Sequence, residues 1–180
     1  MGGTFRPQVV HRARISAGLH RDETKSCHVM GILNVTPDSF HEESRQNTLE
    51  SAVETGLQMW QKGAKWIDIG GESTRPNADA VSIEEELQRV IPVIEALRAS
   101  NADGLISIDT RRPQVAQAAL DAGADLINDV SGLRDPEMVK IVLDSGCGVC
   151  IMHMQGTPQT MQDQPCLLYT SDAADDLLCV

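Results

Sequence analysis

Residues 63–71 read GAKWIDIGG and residues 123–132 read GADLINDVSG. Both start with Gly-Ala, reach Ile at the fifth position and follow it with Asp68 or Asn128. A glycine that closes a helical pattern just before a short apolar run marks a helix stop followed by a strand start. The echo is weak, and two copies of one helix-stop-plus-strand unit account for it without a solenoid repeat. Gly146 stands in the same position ahead of a third apolar run.

Working outward, continuous apolar runs recur at 28–34, 66–70, 104–109, 125–130 and 148–153. Such runs are typical of strands buried on both faces, as in parallel sheets covered by helices. Four helical patterns separate them. Ser82 and Glu85 form a capping box ahead of Ile83, Leu87, Val90, Ile91, Ile94 and Leu97, which repeat at helical spacing. Pro92 falls inside that helix and is expected to kink it. Pro113 and Pro136 occupy first-turn positions, and Asp135 is the expected N-cap of the last helix. The fold class is therefore α/β, with strand first and five strands committed. That amounts to about five of the eight units of a (β/α)8 TIM barrel, or most of a doubly wound open sheet. Residues 1–27 lack periodicity, 28–165 form the domain, and both periods fail after Pro165.

The composition suits one globular domain: 180 residues, 41% apolar and 23% charged. Fifteen basic and twenty-six acidic residues leave a net charge of −11, which argues against a nucleic-acid surface but not against a small anionic substrate. No apolar stretch approaches a membrane span and no signal-peptide core follows the start, so the expected location is the cytoplasm. Five cysteines without small-domain spacing speak against a disulfide framework. Cys147 and Cys150 have redox or zinc spacing, but no second pair completes a four-ligand site. Both are expected to be core thiols.

Ligands of parallel α/β folds bind beyond the carboxyl ends of the strands. Those ends carry Asn34, then Glu72-Ser73-Thr74-Arg75, Asp109-Thr110-Arg111, Asn128-Asp129 and His153. A purely structural sheet needs far fewer polar groups there, since each costs about 1–3 kcal/mol when buried unpaired. Singly, each has a plainer explanation. Asn34 can end a strand, GGESTRP can be a turn, Asp109 can cap the next helix, and His153 between two methionines can simply pack. Asn128 and Asp129 are strand neighbours, so only one faces the barrel interior. GGESTRP otherwise offers two glycines for close backbone approach, two hydroxyls and a guanidinium, a set suited to phosphate oxygens.

The blocks HVMGILNVTPDSF, IDIGGESTRP, VSIEEELQRVIPVIEAL, ISIDTRRP, GADLINDVSGL and VCIMHMQGTPQTMQ resemble, in order and spacing, those of bacterial dihydropteroate synthases, from about His28 to Pro165. The wider pterin-binding group, including methyltetrahydrofolate-dependent methyltransferases, shares the Asp and Asn strand ends but not NVTPDSF together with GGESTRP. The resemblance implies a (β/α)8 barrel that joins 7,8-dihydropterin-6-ylmethyl diphosphate to 4-aminobenzoate with Mg²⁺ assisting. It implies that Asn34 helps hold Mg²⁺ and the diphosphate, and that Thr74 and Arg75 lie near the diphosphate and aminobenzoate. Asp109 and Asn128 would contact the pterin and Met152 would wall its pocket. Thr36, Pro37, Asp38, Ser39 and Phe40 would belong to a first loop that folds over the second substrate, with Asp109 and Arg75 as the catalytic pair.

The chain also departs from the family. His41-Glu42-Glu43-Ser44 replaces the usual Ser-Asp-Gly-Gly, which alters how the first loop closes. The family's later DPGFGFGK-like block, its pterin-contacting lysine and its terminal Arg-x-His have no counterpart. Residues 166–180 read as a non-native tail, so the expectation is a truncated chain that is aggregation-prone and inactive alone. The family's homodimers form through later helices and do not transfer. The competing expectations are a folate-binding methyltransferase module and a non-catalytic pterin-binding remnant.

Overall fold

A computed structural model describes residues 28–35, 45–72, 81–101 and 103–152, with side chains left undescribed at 45–48. The order is β1 (Met30–Asn34), α1 (Arg45–Gln61), β2 (Trp66–Gly70), α2 (Ile83–Ser100), β3 (Leu105–Asp109), α3 (Pro113–Ala122), β4 (Leu126–Asp129), α4 (Pro136–Ser145) and β5 (Gly148–Ile151). All neighbours pair in parallel, in the spatial order β1-β2-β3-β4-β5. Strand order that never reverses keeps successive right-handed crossovers on one face of the sheet. That is barrel winding; a doubly wound sheet needs a reversal point, and none occurs among the described strands.

The punctuation behaves as the sequence dictates, with one difference at the N-cap of α2. Gly63, Gly123 and Gly146 take positive φ at the helix ends, where a left-handed residue turns the chain into the next strand. The Asp135 carboxylate accepts from Glu137 N at 2.9 Å, capping α4. Ser82 Oγ accepts from Glu85 N at 3.1 Å, but Glu85 does not complete the box. Its carboxylate pairs instead with Arg89 one turn on. The helix α2 continues as one element through Pro92, which lies on its exposed side.

Alternation splits the sheet into two faces. Leu33, Val35, Ile67, Ile69, Ile106, Ile108 and Ile127 point outward and join Val90, Ile94, Leu97, Val115, Ala119 and Met138 of the helices in one dry core. The other face carries three register layers. The lowest is apolar: Met30, Trp66 and Leu105, packed with Leu126. Above it run Ile32, Asp68, Ser107 and Leu126, and at the rim Asn34, Gly70, Asp109, Asn128 and Cys150. Cys150 is thus an exposed free thiol, not the core thiol expected, because its strand parity turns it to this open inner face. Cys147 is a half-buried free thiol whose pKa burial raises.

At the foot of the sheet, Arg98 of α2 ties β3 to β4. Its guanidinium donates to Gly104 O (2.6 Å), Gly123 O (2.6 and 3.0 Å) and the buried Asp125 carboxylate (2.6 Å). Asp125 Oδ2 also accepts from Ile106 N at 3.0 Å. Among the described residues no helix is long and apolar enough to cross a membrane.

Candidate functional site

The rim layer assembles the polar strand ends into one surface. Gly70 leaves a gap there: a Cβ at that position would meet Asp109 Oδ2 at 3.5 Å and Asn34 Oδ1 at 3.6 Å. The two oxygens therefore flank one slot on the inner face. Asn128 is Asp109's register partner and turns inward, where its Nδ2 donates to Asp68 Oδ2 at 3.0 Å. Asp129 takes the opposite face, and its two oxygens accept from Ser131 N (2.8 Å) and Leu133 N (2.9 Å). It clasps the turn that contains Gly132 and Leu133, both at positive φ. The expected division between these two neighbours therefore holds, with Asn128 on the site.

Asp109 is the electrostatic centre. Burial first, then the carboxylates of Asp68, Glu86, Asp129 and Glu72, push its pKa from 3.8 up to about 7. No described cation pairs with it, and it does not cap α3, whose N-cap is Arg112. A half-buried carboxyl poised near neutrality and facing a slot is a functional-site signature. Asn34 is exposed beside the slot, and its side chain makes no hydrogen bond among the described residues. Met152 follows β5, continues the inward parity of Cys150, and is exposed.

The two glycines of the second motif have different tasks. Gly70 faces the slot, whereas a Cβ at Gly71 would strike Val90 Cγ1 at 2.8 Å and Glu86 Cγ at 3.0 Å. Gly71 therefore serves the close approach of α2, and only Gly70 serves the site. Arg89 Nη1 holds the Gly71 carbonyl at 2.6 Å. Glu72, Val81 and Arg112 are joined to one another, with Val81 N donating to Glu72 Oε1 at 3.3 Å. Arg112 Nη2 donates to Glu72 Oε1 at 2.9 Å and also binds the Val81 carbonyl, while its Nη1 pairs with the buried Glu86. Arg111 adds a 3.3 Å contact to Glu72. Thr110 is buried and accepts from Arg112 N at 3.2 Å, which sets the entry to α3.

Thr74, Arg75, Pro37, Phe40 and the rest of the first loop, together with His153, lie outside the described residues. Sequence reading overlooked four residues: Asp68, Ser107, Glu86 and Arg112. For the first two a signal was available, since each sits two positions before a rim residue on the same strand and so shares its face.

The chain matches the family model described as pterin binding enzyme over residues 30–178. It is 51% identical over 138 residues to a dihydropteroate synthase of Escherichia coli (strain K12), covering 77% of this chain and 49% of that protein. A Haemophilus influenzae dihydropteroate synthase is 47% identical over 150 residues, covering 83% of this chain and 53% of the relative. Among solved structures, the Yersinia pestis dihydropteroate synthase in a sulfonamide complex superposes with TM-score 0.68 at 49% identity, over 77% of this chain and 50% of that one. The Burkholderia cenocepacia enzyme complexed with 7,8-dihydropteroate gives TM-score 0.64 at 49% identity, over 77% and 45%. The chain spans about half the length of the relatives it matches, and its sheet is an incomplete α/β barrel of their kind. With inward Asp109 and Asn128 on adjacent strand ends and a model match across most of its length, this chain belongs to the pterin binding enzyme family.

Proposed function

We propose that this chain carries the pterin-reading half of a dihydropteroate synthase. The reaction joins 7,8-dihydropterin-6-ylmethyl diphosphate to 4-aminobenzoate. The methylene C–O bond breaks, a C–N bond forms to the arylamine, and diphosphate and the arylamine proton leave. The observation that carries the reading is the rim layer, with Asp109 and Asn128 side by side on the inner face and Gly70 opening the slot between Asp109 and Asn34.

The residues match the chemistry. A pterin edge presents N–H donors, which an ionised Asp109 and the Asn128 amide can meet while apolar groups cover the ring faces. Asp109, which pairs with no cation among the described residues, favours positive character on the methylene as diphosphate departs. Mg²⁺, when bound, offsets the charge of the leaving diphosphate. A hard cation of this kind keeps several waters and takes few protein oxygens, which suits the single neutral oxygen of Asn34. Among the described residues there is no cluster of three or more His, Cys, Asp or Glu that would cage a metal alone. Thr74 and Arg75 are assigned to the diphosphate and aminobenzoate, Pro37 and Phe40 to closure over the second substrate, and Met152 to the pocket wall. A cytoplasmic location belongs to the same proposal.

Calorimetric titration of the chain with 6-hydroxymethylpterin, then with diphosphate and Mg²⁺, tests the reading. Pterin binding that is lost in Asp109→Ala is the expected result. Folate binding with no response to diphosphate would point to the methyltransferase alternative, and no pterin binding at all would overturn the reading.

A further inference from the structure

Asp68 lies one layer beneath the rim and is 5% exposed. Its Oδ2 takes the Asn128 Nδ2 donor, and its Oδ1 has no partner among the described residues. Its register neighbour Ser107, 0% exposed, likewise has an unpartnered Oγ. Two buried orphan polar atoms on one face each call for a ligand donor or an ordered water.

The pairing has a chemical consequence. Asn128 gives Asp68 its amino side, with Nδ2 donating to the Oδ2 acceptor. The planar amide then turns its Oδ1 away from Asp68, toward the rim. Without that constraint the amide could present either end. We propose that Asp68 is a positioning residue that fixes the Asn128 amide, so that the rim confronts a ligand with two acceptors, Asn128 Oδ1 and the Asp109 carboxylate. The site thereby selects a heterocycle edge made of N–H donors, a specificity that rests on the pterin reading above. Asp68 also belongs to the carboxylates whose charge raises Asp109, with Glu86 from α2, Asp129 on the outward face of β4 and Glu72 after β2; Glu86 and Glu72 are paired with Arg112, and Glu72 also with Arg111.

The test compares the wild-type chain with Asp68→Asn, nearly isosteric but able to donate. In wild type, Asn128 should give one discrete, slowly exchanging side-chain NH₂ pair by NMR; the variant should lose that protection. The Asp109 carboxyl titration should move toward acid in the variant. Calorimetry with 6-hydroxymethylpterin and 6-hydroxymethyllumazine, whose 2-oxo group replaces a donor with an acceptor, should show the pterin preference falling at least about tenfold. Retained amide protection, or equal weakening of both ligands, overturns the positioning role. Wild-type chain that binds neither ligand overturns the pterin reading, while the amide and titration measurements still decide the role of Asp68. Asp68→Ser, which can also donate, repeats the comparison if the first variant does not fold.

Discussion

Two carboxylates close to opposite ends of the β3–β4 pair meet opposite fates. Asp125, at the foot, is fully buried yet holds the Arg98 guanidinium and a backbone N–H. Asp109, at the rim, is surrounded by four further carboxylates and has no described cation partner. The foot is built for cohesion and the rim accepts electrostatic cost for chemistry, the division expected of parallel barrels. What separates the two aspartates is the strand end that each occupies, Asp109 closing its apolar run and Asp125 opening the next.

The sharpest way to break the contrast is to remove the cation at the foot. Arg98→Ala leaves Asp125 buried without its ion pair and frees two carbonyls, which should cost about 3–5 kcal/mol. Urea unfolding followed by far-UV circular dichroism checks this, and a loss below 1 kcal/mol would mean that the foot is not the anchor.

At the rim the sign reverses. The folded state holds the Asp109 proton up to about pH 7, whereas the unfolded value is 3.8. The folded state therefore binds more protons between those values, so its stability falls as pH rises through that window and levels off above it. Asp109→Asn removes the penalty and should be more stable than wild type at pH 8 by roughly 2 kcal/mol, with the gap closing by pH 4. Thermal melts at the two pH values measure it. The same titration predicts function: if the ligand requires ionised Asp109, pterin affinity should weaken roughly tenfold from pH 8 to pH 6. A flat profile would mean that the neutral acid binds equally well.

The periodicity carried the fold well, because strands buried on both faces and helices stopped by glycine leave one-dimensional traces. Every expected strand is present, trimmed by at most two residues at either end. Of the candidate site residues, Asn34, Asp109 and Asn128 share the inner face at the rim, and Met152 continues the same parity beyond β5. Asp68 escaped notice because it reads as the interior of an apolar run, and only the alternation WIDIG reveals that it shares a face with Gly70. Arg112 and Glu86 were not legible at all. Their pairing joins residues 26 apart in sequence, and no local pattern encodes such a contact. Gly71 was misread for the complementary reason: the need for glycine comes from α2 packing above it, which a loop motif does not disclose.

The smallest expected effect concerns a second contrast, between the central strands and the flank formed by α4 and β5. The central strands bury every outward isoleucine, whereas Leu143 is 74% exposed and Ile151 58%, with Val139 one helical turn before Leu143. Scattered exposed apolar residues are ordinary, but these belong to α4 and β5, the last elements of the described sheet, where β5 has no partner on its outer edge among the described strands, and such an edge is a template for association. Leu143→Lys touches nothing in the dry core, so it should change stability by no more than about 0.5 kcal/mol. It should nevertheless raise the concentration at which light scattering detects self-association, because the charge lies on the flank and is desolvated only when copies meet. Ile106→Ala, made in the core, should do the reverse: it should destabilise the fold by about 2–4 kcal/mol and bring association on earlier through unfolding. If both variants shifted the association threshold in the same direction, the flank would not be the surface through which copies meet.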